Sequence, residues 1–307
     1  MKVAVQRPAV IYLAGVGRSG STLLANLLGQ LPGVLNVGEA SRYLSNARMA
    51  DREVPCGCGR TLTECEFWSR LEAGELERLR RFGTASLRMR QLPLLLRPSL
   101  HRGFDRRLAD YRAALERLYR QLAGWSGRTT IVDSSKNPAN AVALSGIAGI
   151  DLHLVHLVRD PRGVASSWLR PKRYLQGRSP LRVVSWWFAF NLAAETLRSR
   201  AASYTLVRYE DFSRDPRAVV DGLARRCCAV EAPVDLIDAG GRARWQNQHD
   251  IAGNPDKLQR GSITIREQPW SLPSRWRVPL GLVTLPLRNH YQRRSRLDGL
   301  AGALERV

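Results

Sequence analysis

Short apolar segments alternate with helix-like segments along most of this chain. Ala9–Ala14 is continuously apolar, and the leucines between positions 23 and 31 then recur at helical spacing. Further strands are predicted at 34–37, 129–133, 152–158 and 205–208, with helices near 40, at 138–147, from Pro161 onward and at 181–203. Strands alternating with helices are typical of a parallel sheet covered on both faces. The pattern therefore predicts a three-layer α/β/α fold around a central parallel sheet.

The segment between the second and third predicted strands breaks this alternation. Residues 67–124 carry the pattern of two or three Arg-rich helices, which we interpret as a helical insertion. A chain of 307 residues could form one large domain or two smaller ones. Because the insertion is closely tied to the predicted sheet, we expect a single domain over residues 1–307.

The chain is strongly basic, with 48 Lys and Arg residues against 27 Asp and Glu, a net charge of +21. Nucleic acid, an acidic lipid surface or a polyanionic cofactor would each suit that charge. No zinc-finger, homeodomain or RNA-recognition pattern accompanies it, so we expect no nucleic-acid partner. The densest block of arginines lies in the insertion, where solvated helix faces are the first interpretation. The sequence does not indicate an oligomeric state.

The apolar runs are too short for a bilayer span. The start lacks a signal-peptide pattern, which favours a cytoplasmic protein. The longest late run, residues 278–287, is interrupted by Pro279 and Pro286. We interpret it as a terminal packing helix or loop, and the alternative is peripheral contact with a membrane surface.

A glycine-rich loop follows the first strand and leads into the first helix. Residues 15–22 read GVGRSGST, which matches the phosphate-binding pattern G-x-x-x-x-G-K-[ST] except that Ser21 occupies the lysine position. A cation stands instead at Arg18. Backbone N–H groups in this context can hold an anion, whereas the alternative is a plain tight turn. We favour an anion that is not a nucleoside triphosphate as the ligand of this loop.

Two later segments, each after a strand, complete a resemblance. Arg159 opens the segment RDPRGVASS, which ends at Ser167, and Tyr209 opens YEDF. With the glycine loop, these segments resemble the sulfotransferase superfamily, whose P-loop-like enzymes use 3′-phosphoadenosine 5′-phosphosulfate (PAPS). The resemblance implies that Gly17, Arg18, Ser19, Gly20, Ser21 and Thr22 of the loop bind the 5′-phosphosulfate. It also implies that Arg159 and Ser167 bind the 3′-phosphate and that Tyr209 lies near the nucleotide.

Three further segments extend the resemblance. Glu39 and Arg42 lie in a stretch similar to the Gly-Glu-x-x-Arg of tyrosylprotein and Golgi-type sulfotransferases, which implies that Glu39 is the catalytic base. Lys136 lies in DSSKNP, similar to the Lys-x-Pro segment whose lysine stabilises the transition state. Residues 249–257 are similar to a late loop of bacterial sulfotransferases, about 245–270 here, that closes over the nucleotide. Asn254 and Lys257 are its implied contacts, with Lys257 in place of the usual arginine.

Five cysteines are present, and three of them are clustered. Cys56, Cys58 and Cys65 form a C-x-C-x6-C pattern, and a similar block occurs in bacterial relatives of the family. Three cysteines with no fourth ligand nearby fall short of a structural zinc set. We therefore expect reduced thiols, because a Cys56–Cys65 disulfide would need an oxidising compartment.

The sequence thus predicts in-line transfer of a sulfuryl group from PAPS to a hydroxyl of a glycan, lipid, metabolite or peptide. Glu39 would accept the proton, while Arg18, Lys136 and Arg42 would complete the catalytic set without a metal. Glu39 has a plainer alternative role as a carboxylate at a helix N-terminus, and His249 is the second candidate for the base. A P-loop-type small-molecule kinase, a non-catalytic nucleotide- or polyanion-binding protein and a nucleic-acid-binding module remain alternatives.

Overall fold

A five-stranded parallel sheet lies at the centre of the protein. The computed structural model describes residues 7–46, 55–170, 177–233, 235–258, 261–267 and 269–304. The sheet has the strand order β2-β3-β1-β4-β5, and every neighbouring pair is parallel. Its strands are β1 Ala9–Ala14, β2 Val34–Gly38, β3 Thr130–Lys136, β4 Asp151–Val158 and β5 Ser203–Arg208. A separate antiparallel pair follows, β6 Arg242–Trp245 and β7 Gly261–Thr264.

Helices cover both faces of the sheet. They are α1 Ser21–Leu28, α2 Ala40–Leu44, α3 Ala73–Ser86, α4 Leu92–Leu96, α5 Arg102–Ser126, α6 Pro138–Leu144, α7 Pro161–Leu169, α8 Pro180–Glu195, α9 Tyr209–Arg214, α10 Pro216–Leu223, α11 Ser274–Val283 and α12 Leu285–Leu304. Short 3-10 turns occur at Trp68–Arg70, Met89–Gln91, Pro98–Leu100 and Pro255–Leu258, and a π-helical turn at Ala224–Cys228.

The side chains of β1 show why its apolar run is continuous. Val10 and Tyr12 pack into the core on one face of the sheet, whereas Ile11 and Leu13 pack into the core on the other. A strand buried on both faces cannot alternate apolar and polar residues. The three-layer α/β prediction is therefore confirmed.

The predicted helical insertion is indeed helical, and it packs directly on the sheet. Leu108 and Tyr119 of α5 share one core with Tyr12 of β1. The helix predicted at 181–203 is shorter, because the chain turns after α8 to begin β5 at Ser203. The two strands β6 and β7 were not predicted.

The late apolar run is helical in α11 and the start of α12. Val278, Leu282 and Val283 are each more than 60 % exposed. Within the described part of the chain, no helix combines the length and apolarity that a bilayer crossing requires. Peripheral membrane contact stays a prediction.

The strand order determines where a ligand site can form. The glycine loop follows β1, Glu39 follows β2, Lys136 is the last residue of β3, and Arg159 and Tyr209 follow β4 and β5. Carboxyl ends of parallel strands meet at one edge of a sheet, which is where open α/β sheets bind ligands. Five separate chain segments are thereby brought to the same edge.

Candidate functional site

The glycine loop has a conformation that its glycines make possible. Gly15 has φ +132°, and a Cβ there would lie 2.3 Å from the Leu157 carbonyl oxygen. Gly20 has φ +90°, and a Cβ there would lie 2.7 Å from the Tyr209 ring. Arg18 also has a positive φ, 76°, although it carries a side chain. Backbone held in this region is concentrated at functional sites, which favours a binding loop over a plain turn.

The three segments on which the resemblance depends are in mutual contact. The Arg18 Nε donates to Ser167 Oγ at 3.0 Å, and Arg159 Nη1 donates to the Arg18 carbonyl oxygen at 3.0 Å. The Arg159 guanidinium lies 4.2 Å from the centre of the Tyr209 ring. We call Arg18, Arg159, Ser167 and Tyr209 the cationic cradle.

Arg159 is not neutralised by the carboxylate next to it in sequence. Asp160 accepts hydrogen bonds from Arg162 and lies 3.2 Å from Arg288 Nε. Arg159 itself is largely buried, and burial lowers its pKa from the ordinary value. Asp160 is thus engaged by other arginines, and the Arg159 guanidinium contacts the glycine loop and the Tyr209 ring instead.

A carboxylate and two cations form a second group at the ends of β2 and β3. Glu39 follows β2, and its two carboxylate oxygens accept hydrogen bonds from Lys136 Nζ and Arg42 Nη1. The side chains of Glu39 and Lys136 are 6 % and 11 % exposed, whereas that of Arg42 is 47 % exposed. Lys136 has φ 67°, so this residue too has an unusual backbone conformation.

The charge state of Glu39 follows from these partners. Burial alone would raise its pKa, but the positive charges and hydrogen bonds of Lys136 and Arg42 outweigh burial and lower the pKa. Burial lowers the pKa of Lys136, and the Glu39 carboxylate opposes that change. Glu39 is thus held as a carboxylate, which is the form that can accept a proton.

Asp133 supports the group of Glu39, Arg42 and Lys136 from within the core, a role that the sequence analysis missed. It is fully buried in β3 and accepts hydrogen bonds from Tyr119 Oη at 2.7 Å and from the Ser41 amide at 3.0 Å. It also binds Ser135, whose hydroxyl in turn accepts from the Arg42 amide at 3.0 Å. Asp133 therefore ties α2 to β3. The carboxylate that directly follows the apolar pair Ile131 and Val132 was the available signal.

The late segment, residues 249–257, reaches into the site beside Glu39. Ile251 forms a parallel bridge with Gly38, and its carbonyl oxygen accepts from the Glu39 amide at 2.9 Å. A Cβ on Gly253 would lie 3.7 Å from Glu39 Oε1 and 3.8 Å from Thr22 Oγ1. Gly253 thus stands between the glycine loop and the carboxylate.

Two residues of the late segment take different positions. Asn254 lines the cavity described below, whereas Lys257 does not. Lys257 is 3 % exposed, and its ammonium donates to the Asp250 carbonyl oxygen at 2.7 Å, with the Asp250 carboxylate 3.6 Å away. The structure therefore does not bring Lys257 to the predicted nucleotide contacts, because a buried acid holds its ammonium.

One cavity of about 630 Å³ joins these groups, a size typical of small-molecule sites. Among the described residues, its lining includes six cationic side chains against one carboxylate, Glu39. The cations are Arg18, Arg42, Lys136, Arg159, Arg170 and Arg266. Of the predicted site residues, Gly17, Gly20, Ser21, Thr22, Ser167, Tyr209 and Asn254 also line it.

The sequence analysis missed several residues of the lining. The far wall contains Trp168, Trp245, Trp270, Ile263 and Arg266. None of these positions carries a local motif, because the five residues belong to α7, β6, β7 and the segment after β7, which line one cavity only in the folded chain. Aromatic rings beside arginines provide a surface on which a flat ring could stack.

Besides Lys257, the predicted residues Ser19 and His249 lie away from the open space. The Ser19 side chain is buried, and its hydroxyl has no hydrogen-bond partner within the described residues. His249 does not line the cavity. Its ring is stacked on Phe67, with ring centres 5.2 Å apart, and its Nδ1 faces Cys65. His249 is therefore not positioned to act as the base.

Comparison with known proteins identifies the family. The model of a sulfotransferase family matches residues 8–229. The chain belongs to the sulfotransferase family. No match to it was found among curated proteins. The matched range contains the glycine loop, Glu39, Lys136 and the cationic cradle, whereas the late segment lies beyond it.

Proposed function

We propose that this sulfotransferase transfers a sulfuryl group from PAPS to a hydroxyl of an acceptor molecule. One observation carries the proposal: the cationic cradle and the Glu39–Lys136 pair open into the same cavity. The cradle offers charge for a polyanionic donor. The pair offers a proton acceptor and a cation beside it.

The residues present suit such a donor in size and charge. The cavity is within the range that holds a nucleotide-sized ligand. Arg159 and Ser167 lie on one side of the glycine loop, whereas Lys136 lies on the side of β3. Two anionic groups at opposite ends of one ligand would meet separate sets of cations.

The chemistry would depend on positioning and charge, as in phosphoryl transfer. The acceptor oxygen forms a bond to sulfur while the bond from sulfur to the bridging oxygen of the donor breaks. Glu39 takes the acceptor's proton. Arg18 and Lys136 stabilise negative charge on the sulfuryl and bridging oxygens. As Lys136 turns toward those oxygens, the Glu39 oxygen that it contacts becomes free for the proton.

An ATP-dependent kinase suits this lining less well. Ser21 occupies the position of the lysine that contacts the β- and γ-phosphates. Kinases also hold Mg²⁺ with carboxylates, and Glu39, the single carboxylate among the described lining residues, is bound to two cations. The likeness of Glu39 and Arg42 to tyrosylprotein and Golgi-type enzymes stays a prediction, and the acceptor is open.

Calorimetric titration in EDTA tests the donor. Adenosine 3′,5′-bisphosphate, the product of PAPS, should bind far more tightly than ATP. Arg159→Ala should lower the affinity for this ligand by about 10- to 100-fold, which corresponds to the loss of a hydrogen bond to a charged group. The same variant should lower the affinity for adenosine 5′-phosphosulfate much less, because that ligand lacks the 3′-phosphate.

Arg214→Ala is the matched control, because Arg214 is an exposed arginine outside the cavity. It should leave both affinities unchanged. If Arg159→Ala lost affinity equally for the two ligands, Arg159 would not be a contact of the 3′-phosphate. Preference for ATP in the wild type would contradict the donor assignment altogether.

A further inference from the structure

Three cysteines and one histidine converge outside the cavity. The ligand atoms of Cys56, Cys58, Cys65 and His249 all lie within 4.8 Å of one another. Cys65 Sγ is 3.6 Å from Cys56 Sγ and 3.7 Å from Cys58 Sγ. His249 Nδ1 is 3.3 Å from Cys65 Sγ and 3.8 Å from Cys56 Sγ. The fourth ligand that the cysteine spacing lacked is thus supplied 184 residues beyond Cys65.

These distances are those of a tetrahedral metal site. Zinc binds sulfur at about 2.3 Å and imidazole nitrogen at about 2.0–2.1 Å, which places tetrahedral sulfurs about 3.8 Å apart and sulfur and nitrogen about 3.6 Å apart. The four separations given above lie within about 0.3 Å of these values. A disulfide would need sulfurs about 2.05 Å apart, and all five cysteines are free.

The surrounding backbone supports the cysteines as a metal-binding turn would. The Gly59 amide donates to the Cys56 carbonyl oxygen at 2.9 Å, closing a tight turn in which Gly59 has φ +91°. The Cys58 amide donates to the Cys56 sulfur, and the amides of Phe67 and Trp68 donate to the Cys65 sulfur. Amide donors of this kind orient and stabilise metal-bound thiolates.

The histidine is also held in place by its neighbours. The Phe67 ring stacks on the His249 ring at an interplanar angle of 18°. The Trp68 indole N–H donates to the His249 carbonyl oxygen at 2.6 Å. The imidazole Nδ1 therefore faces the sulfurs without any rearrangement of the main chain.

We propose that Cys56, Cys58, Cys65 and His249 bind one structural Zn²⁺. Three thiolates and one neutral imidazole fill a tetrahedral ion completely, so no position is left for substrate. The three thiols release their protons to solvent on binding, and no oxidation or reduction takes place. None of the four residues lines the cavity, which makes the ion structural rather than catalytic.

The position of this site gives it a role in holding the late segment. The Gly57 amide donates to the Asp250 carbonyl oxygen at 2.8 Å, and Ile251, the next residue, bridges to Gly38 beside Glu39. A zinc ion would join the cysteine loop to the start of the segment that places Gly253 next to Glu39. Its removal should therefore loosen the part of the cavity wall formed by Gly253 and Asn254.

Metal analysis of untagged full-length protein tests the site. Purified under reducing conditions and supplied with zinc, the wild type should retain about one zinc per chain after gel filtration. X-ray absorption at the zinc edge should show three sulfur ligands and one nitrogen ligand. Cys65→Ser and His249→Ala should lose the zinc, whereas the control Cys227→Ser/Cys228→Ser should retain it, because those cysteines are free and absent from the cluster.

The wild type alone keeps the proposal falsifiable if a ligand variant does not fold. Native mass spectrometry should then show a zinc-bound chain, and removal of zinc with a chelator should raise the count of reactive thiols by three. The proposal would be overturned if the wild type failed to retain zinc or if the zinc were bound by oxygen and nitrogen alone. It would also be overturned if Cys65→Ser retained as much zinc as the control. A disulfide within the cluster would overturn it as well. These measurements do not depend on the donor or the acceptor.

Discussion

Replacing Glu39 by glutamine tests the proposed chemistry and the role of the buried ion pairs together. Glutamine keeps the shape of the side chain and one acceptor oxygen, but it cannot take a proton. Loss of a general base costs about 10²–10⁴-fold in turnover, which is about 3–5 kcal/mol in the barrier. Affinity for adenosine 3′,5′-bisphosphate should hardly change, because Glu39 is on the β2 side of the cavity, away from Arg159.

The same substitution should also reduce stability. Glu39 is 6 % exposed and accepts hydrogen bonds from both Lys136 and Arg42. Weakening hydrogen bonds between charged groups should lower the free energy of unfolding by about 1–3 kcal/mol. Stability and turnover must therefore be measured on the same preparation, by chemical denaturation and by product formation.

Glu75→Gln is the matched control for that experiment. Glu75 is another buried carboxylate, 7 % exposed, with its oxygen 3.6 Å from Arg117 Nε, but it lies in α3 and outside the cavity. It should lower stability and leave turnover near that of the wild type. Near-normal turnover in Glu39→Gln, or an equal fall in both variants, would refute the base assignment.

Three further outcomes are expected. Gly20→Ala should abolish donor binding in calorimetry, because the added Cβ would meet the Tyr209 ring. Gly33→Ala is its control: Gly33 has φ +72° but open space around it, so the substitution should lower the free energy of unfolding by about 1 kcal/mol and leave donor binding intact. Tyr119→Phe should lower the free energy of unfolding by about 1–3 kcal/mol, since its hydroxyl binds a buried carboxylate. Tyr291→Phe, whose hydroxyl has no partner in the described part of the chain, should be near neutral in the same denaturant titration. Because the folded pKa of Glu39 is lowered from 4.5, the stability difference between wild type and Glu39→Gln should be complete above that pH and shrink as pH falls below it.

The sequence was sufficient to predict the central sheet, because the strands of that sheet are buried on both faces. Val10 and Ile11 face opposite cores, so β1 appears as an unbroken apolar run. Helix ends were less predictable. The pattern continued past Glu195 to about residue 203, whereas the helix ends where the chain must turn back into β5. That boundary depends on strand pairing, which local periodicity does not contain.

The candidate site was predictable where it follows strand ends. Glu39 and Arg159 each occupy the first position after a strand, and Lys136 is the last residue of one. A parallel sheet brings such positions together. Lys257 illustrates the limit, because only the fold reveals that Asp250 captures its ammonium. The far wall, represented by Trp270, and the meeting of His249 with the cysteines depend on contacts between distant segments.

Label transfer tests the central claim most directly. The protein is incubated with sulfur-labelled PAPS and an extract of its own cells, without added metal, beside Lys136→Ala as the inactive partner. The account predicts that the wild type moves label from PAPS into a hydroxyl-bearing molecule and that Lys136→Ala does not. Label that remains on PAPS with the wild type, while phosphate from labelled ATP and Mg²⁺ enters an acceptor, would contradict it.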